Sequence, residues 1–269
     1  MKIIDLAEEK NLMMNILDSI DAFCVANNIH YSLCGGSAIG AIRHKGFIPW
    51  DDDIDIMMLR DDYEQFLSNY KDNSGNFVLH SFDRDKDWEY PFAKIENIHT
   101  IKEENTTNKK KIGVNIDIFP IDNLSDSEED SLKLIRKVQR IRMALFAKIV
   151  KPSKRNSLYK KMCILALKAL TIFSSKRSLA KKVDSTAKNV GKTNSKYIAG
   201  LAWGVYGEKE LCPRSIFNSY LKIPFENREY SIISGYDIYL SHLYGDYMQL
   251  PTEDKRVSPH TINMVYWKE

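Results

Sequence analysis

The feature that most constrains this chain is a short alternation of carboxylates with apolar residues, Asp53-Ile54-Asp55-Ile56-Met57-Met58. Ile54, Ile56 and Met58 fall on one side of an extended segment, and Asp53 and Asp55 fall together on the other. Residues 53–59 therefore read as a strand with one carboxylate-bearing face. Asp51 and Asp52, just before it, also read as members of a solvated turn. Leaving a half-buried carboxylate uncompensated is costly, so Asp53 and Asp55 point to a bound charge. A second strand, Val114 to Phe119, carries Asn115-Ile116-Asp117-Ile118 and contributes a third carboxylate. Three carboxylates on one sheet face stay together only around a cation or a shared proton. Oxygen ligands favour a hard ion, so Mg²⁺ is the expected cofactor, with Mn²⁺ as the alternative. Such a centre suits the clamping of a phosphoryl group.

Upstream of the alternation, residues 5–27 place Leu12, Ile16, Leu17, Ile20 and Cys24 at helical spacing. Ile29 to Cys34 reads as a buried strand, Gly35-Gly36-Ser37 as a tight turn, and Ala38 to His44 as a short helix. Backbone N–H groups at Gly36 and the Ser37 hydroxyl can receive a phosphate. Arg43, His44 and Lys45 lie between this turn and the carboxylates, where they would offset phosphate charge. Asp61 is a good N-cap for a helix over 62–70. Phe77 to Phe82 and Pro91 to Ile101 are further strand candidates, and the strand carrying Asp117 is expected to stop at Pro120.

Past Ser125 the texture changes. From 131 to 190 there are 17 Lys and Arg against one acid, Asp184, although the whole chain carries only +3. Helices are expected over 132–150, 157–173 and 176–188, with Pro152 as a breaker. This stretch reads either as a solvated face or as a surface for anionic membrane. No nucleic-acid module frames it, so no nucleic-acid partner is expected. The aromatics from Tyr239 to Tyr247 read as core, and a final helix is expected over 235–244. Three stretches result: a catalytic core over 1–124, a basic helical region over 125–190, and a region over 191–269 that completes the site. The fold class is α/β (α+β), a small mixed sheet flanked by helices.

Other classes are disfavoured. The four cysteines lack CxxC spacing and the histidines lack HExxH, which argues against a zinc site or a disulfide frame. The N-terminus turns acidic at once, without an apolar targeting segment. The most apolar stretch, 162–173, is shorter than the ~20 residues a spanning helix needs. A cytoplasmic location, at the inner face of the membrane, is the expectation.

The run from Gly36-Ser37-Ala38 through Arg43-His44-Lys45-Gly46-Phe47-Ile48-Pro49-Trp50 to Asp51-Asp52-Asp53-Ile54-Asp55-Ile56 closely resembles the signature of the LicD family. Asn115-Ile116-Asp117-Ile118-Phe119-Pro120-Ile121-Asp122 and Leu243-Tyr244-Gly245-Asp246-Tyr247-Met248 resemble two later blocks of that family. The resemblance implies a nucleotidyltransferase-type fold, with Gly36, Ser37, Asp53, Asp55 and Asp117 as its pattern residues. It implies transfer of phosphocholine, or a related phospho-alcohol, from a CDP-activated donor to a lipid-linked or other cell-surface glycan such as teichoic acid, capsule or lipopolysaccharide. Lys94 then becomes a candidate contact to the donor phosphates. Two rival readings are a glycosyltransferase using a nucleotide sugar at the Asp-x-Asp, and a nucleotide or metal sensor without catalysis.

Overall fold

The computed structural model describes residues 2–103, 106–150, 158–188, 194–257 and 264–269. Pro152, expected to break a helix, lies outside them. The first half of the chain runs β1 (Ile3–Ile4), α1 (Leu6–Asn27), β2 (Ser32–Leu33), α2 (Gly35–Ile39), β3 (Asp55–Leu59) and α3 (Arg60–Asn69). It continues with β4 (Phe77–His80), β5 (Ala93–Asn97), β6 (Thr100–Lys102) and β7 (Asn115–Asn123). Three helices follow: α4 (Glu128–Ile149), α5 (Leu158–Leu170) and α6 (Lys176–Lys188). The last part holds β8 (Tyr197–Ala199), β9 (Cys212–Pro213), β10 (Tyr220–Phe225), β11 (Arg228–Ile233), α7 (Tyr236–Tyr244) and β12 (Val265–Trp267).

The central mixed sheet has the order β2-β3-β7-β5-β4, and β8 and β9 extend it from the far end of β7. Among the described residues, only β3 and β7 pair in parallel. Their alternation works as the sequence suggests: Ile56, Met58, Ile116 and Ile118 face a buried core that includes Ile16, Leu17 and Ile20 of α1. Asp5 caps α1, its side chain accepting from the Glu8 N–H at 2.8 Å. The opposite sheet face carries the polar residues.

Several elements differ from the sequence reading. The segment 91–101 is two strands, β5 and β6, split by a turn at Ile98 and His99. β7 does not stop at Pro120 but runs on to Asn123. Its pairing with β5 ends at Ile118, so the missing N–H of Pro120 faces a side that β5 no longer covers. α3 begins at Arg60, with Asp61 and Asp62 inside its first turn, where negative charge is favourable, and no side chain caps it. Gly35-Gly36-Ser37 is not a turn before a helix; it is the start of α2, which continues as a π-helical turn through His44.

The basic region folds onto the sheet. Leu134, Ile135 and Val138 of α4 pack with Val183 and Ala187 of α6 against Leu124 and Leu201. Arg60 fastens this layer from below: its guanidinium donates to Asp122 (2.7 Å from Nε), to Asp184 (2.9 Å) and to Glu64 (3.1 Å). Burial works against charge on Arg60, but Asp122 and Asp184 outweigh it and hold its pKa up. The single acid of the basic stretch thus helps to tie α6 to the core, beside Lys188, which pairs with Glu64 at 2.7 Å. Among the described residues, no helix is long and apolar enough to cross a membrane.

Candidate active site

Three neighbouring strands set the centre. Asp55 on β3 lies opposite Asp117 on β7, and Asp117 lies opposite Lys94 on β5. Residues paired across a sheet point to the same face, so the register alone puts Asp55, Asp117 and Lys94 in one row. Lys94 Nζ is 2.7 Å from Asp117 Oδ1, and the Asn115 side-chain amide donates to the same oxygen at 2.9 Å. Asp55 is held from behind. Its N–H donates to Ser37 Oγ at 2.9 Å, and its carbonyl accepts from the Cys34 N–H at 3.1 Å.

The row opens into a cavity of about 970 Å³. Asp53, Asp55, Asp117 and Lys94 form its polar end, and Phe92, Phe119, Phe146 and Trp203 form an aromatic wall. Phe92 stacks edge-on against Phe119 and Trp203, at 4.7 and 5.2 Å between ring centroids. The Lys94 ammonium lies 4.8 Å from the centre of the Tyr90 ring, a cation–π contact that helps fix its position. Residues from all three stretches of the sequence therefore meet at one cavity.

Burial pushes the Asp55 carboxyl well above the usual range, and the charges of Asp53 and Asp117 push it further, against the pull of Lys94. Asp51 joins this cluster: burial and its hydrogen bond to Asp53 push its carboxyl up to about 7. Asp52 is buried as well, so the solvated-turn reading of this pair does not hold. Gly36 makes room for Asp51, since a Cβ there would lie 2.6 Å from the Asp51 carboxylate oxygen. Cys34 lies in the same cavity, and burial and the surrounding carboxylates push its thiol far up, leaving it a poor nucleophile.

Asp53, Asp55, Asp117 and Lys94 are therefore brought together as the sequence suggests, and Ser37 supports them by holding the Asp55 backbone. Gly36, Arg43, His44 and Lys45 do not line the cavity. The π-helical turn carries Arg43 away from the carboxylates, and its guanidinium donates to the carbonyls of Tyr247 (2.6 Å) and Gln249 (3.3 Å) and to His44 Nε2. Lys45 ends the turn in a left-handed conformation. Asp122, at the end of the block that holds Asp117, is the buried partner of Arg60.

The donor set suits a hard cation. All three candidate ligands are carboxylates, the oxygen donors that such an ion takes, although among the described residues no three His, Cys, Asp or Glu side chains are gathered closely enough to hold a metal ion.

Residues 28–162 match the family model described as LicD/FKTN/FKRP, nucleotidyltransferase domain. The chain is 33% identical to a Haemophilus influenzae protein named lipopolysaccharide cholinephosphotransferase LicD, over 99% of each chain. An uncharacterised Rickettsia typhi protein is 34% identical over 24% of this chain and 23% of its own length. An uncharacterised Rickettsia prowazekii protein is 50% identical over 13% of this chain and 14% of its own. With a matching domain that holds both aspartate strands and a relative that aligns from end to end, the chain belongs to the LicD family.

Proposed function

We propose that this protein transfers phosphocholine from a CDP-activated donor to lipopolysaccharide or a related cell-surface glycan. It is a phosphotransferase, and the observation that carries the reading is the Asp55–Asp117–Lys94 row at the mouth of a cavity large enough for a nucleotide-linked donor. End-to-end similarity to a protein named as a lipopolysaccharide cholinephosphotransferase supports the choice of group and acceptor. Mg²⁺, or Mn²⁺ in its place, would be held by Asp53, Asp55 and Asp117 and would supply charge stabilisation to the transferring phosphoryl group.

The residues divide the work as follows. Lys94 places a positive charge beside Asp117, where the donor phosphates meet the sheet. Ser37 fixes the Asp55 backbone, so the carboxylate keeps one position as the donor enters. A glycan hydroxyl attacks the phosphorus that bears choline. The new O–P bond forms as the bond to CMP breaks, CMP leaves with the bridging electron pair, and the hydroxyl proton passes to Asp117 in the alternative in which that carboxylate does not itself join the ion. The aromatic wall of Phe92, Phe119 and Trp203 excludes water that would otherwise hydrolyse the donor.

The basic region belongs to the acceptor side of this reading. Met162, Leu165, Leu170, Ile172 and Phe173 are all exposed on and just after α5, beside a strongly basic sequence. Such a face suits an anionic leaflet on which a lipid-linked glycan is presented.

A thermal-shift panel of CDP-choline, CDP-glycerol, CDP-ribitol, CTP and UDP-sugars, with and without Mg²⁺, tests the donor. A ligand at 100 times its Kd adds about 2.7 kcal/mol of stability. A Mg²⁺-dependent shift with CDP-choline, lost in Asp53→Asn, is the expected result. A response confined to UDP-sugars overturns the reading in favour of glycosyl transfer.

A further inference from the structure

Besides the three aspartates, the cavity is lined by a further carboxylate that the transfer step leaves unused, Glu210, which is half-buried. Its Oε1 accepts the Tyr206 N–H at 3.1 Å, and no ion pair among the described residues engages it. Arg142 is the cation that pulls on it, without reaching salt-bridge distance. Burial pushes the Glu210 carboxyl up to about 7. Gly204 gives the side chain its place, because a Cβ there would lie 2.6 Å from Glu210 Cδ.

Aromatic rings line the cavity together with Glu210 and the aspartates: Tyr206 and Tyr244 meet edge-to-face at 5.0 Å between centroids, and Trp203 and Tyr239 line the same space. Tyr244 approaches the reaction centre, since a Cβ placed on Gly35 would be 3.7 Å from its hydroxyl and 3.9 Å from Asp55 Oδ2.

From this juxtaposition we infer that Glu210, with the rings of Tyr206, Tyr239, Tyr244 and Trp203, forms the subsite for a quaternary ammonium head group and selects choline on the donor. The inference rests on the donor reading above and adds the residues that choose the alcohol. A trimethylammonium group has no N–H to donate, so hydrogen-bond acceptors alone do not distinguish it. It is held by a nearby negative charge and by the negative faces of aromatic rings in a dry site. A two-carbon bridge separates its nitrogen from the phosphate, which agrees with a cage that begins at Tyr244, beside Asp55. A neutral polyol head group could donate hydroxyls to Glu210 but would gain no charge pairing, and its hydroxyls would lose water against the ring faces.

The test compares donors in the full-length protein. CMP release is followed from CDP-choline, CDP-ethanolamine and CDP-glycerol, for wild type, Glu210→Gln and Tyr206→Leu. Glu210→Gln keeps the shape of the side chain, and Tyr206 is partly exposed, so its replacement spares the core. Both variants should raise KM for CDP-choline by about tenfold and so lose its preference over CDP-ethanolamine and CDP-glycerol, while the affinity for CMP, which has no head group, stays within twofold. An unchanged preference for CDP-choline in both variants overturns the subsite and leaves the transferase reading intact. Failure of the wild type to bind CMP or to release it from any of the three donors overturns the transferase reading itself, and the subsite with it.

Discussion

Lys94 Nζ and Asp117 Oδ1 are 2.7 Å apart, and the sheet register places Asp117 between Lys94 and Asp55. One ammonium therefore stands against at least two carboxylates in a row. Replacing Lys94 by Met removes that charge and leaves Asp117 with the Asn115 amide but without the ammonium. Breaking a buried pair in this way costs about 3 kcal/mol. Scanning calorimetry should show the loss in full without divalent cations and at least halved with saturating Mg²⁺. An equal loss under both conditions would mean that no cation binds beside Asp117.

Asp51 and Glu210 are both pushed up to about 7, chiefly by burial. A carboxyl raised in the folded state holds its proton where the unfolded chain has already lost it. From these two groups, stability is therefore greatest near the unfolded value, falls as pH rises toward 7, and levels off above it. The metal-free protein should melt several degrees lower at pH 8 than at pH 5.5, and Asp51→Asn should flatten much of that slope. Mg²⁺ binding at pH 6.5 should release protons, seen by calorimetry in two buffers of different ionisation enthalpy. A pH-independent melting temperature would contradict the assigned burial of both groups.

How much of this could be read from sequence follows from the distance over which each feature is set. Asp53, Asp55 and Asp117 were legible because alternation with Ile54, Ile56, Ile116 and Ile118 is a local pattern that marks a sheet face. Lys94 could be suspected, but its pairing with Asp117 depends on an antiparallel register that no local pattern encodes. Arg43 misled for the same reason. Its place in the sequence beside the aspartates says nothing of the π-helical turn that sends it to Tyr247. Asp51 resembles any turn aspartate until Gly36 is seen to admit it. Glu210 carries no motif at all, and only the fold brings it to the cavity. The strand break at Ile98 and the continuation of β7 past Pro120 likewise depend on which neighbours pair and where their pairing ends.

Arg60 joins α3 to Asp122 of β7 and Asp184 of α6. Arg60→Met should destabilise the protein by about 3–5 kcal/mol, measured by urea denaturation, with KM for the donor unchanged within twofold because none of these residues lines the cavity. A variant as stable as wild type would show that the other contacts of α6, among them Lys188 with Glu64 and Lys176 with Glu89, hold it without Arg60.

The exposed face around Leu170 and Phe173 should bind vesicles containing phosphatidylglycerol and release them as salt rises, each basic residue near the surface adding about 1 kcal/mol. Leu170→Ser with Phe173→Ser should weaken co-sedimentation severalfold. Equal binding to neutral phosphatidylcholine vesicles would remove the electrostatic part of this assignment.

The most direct test is transfer of labelled phosphocholine from CDP-choline to lipopolysaccharide lacking that group, by wild type and Asp55→Asn, in Mg²⁺ and in EDTA. Wild type in Mg²⁺ should label the glycan and release CMP in equal amounts. The Asn variant should fall at least a hundredfold and EDTA should abolish both signals. Undiminished transfer by Asp55→Asn would contradict the placement of the reaction at the Asp55–Asp117–Lys94 row.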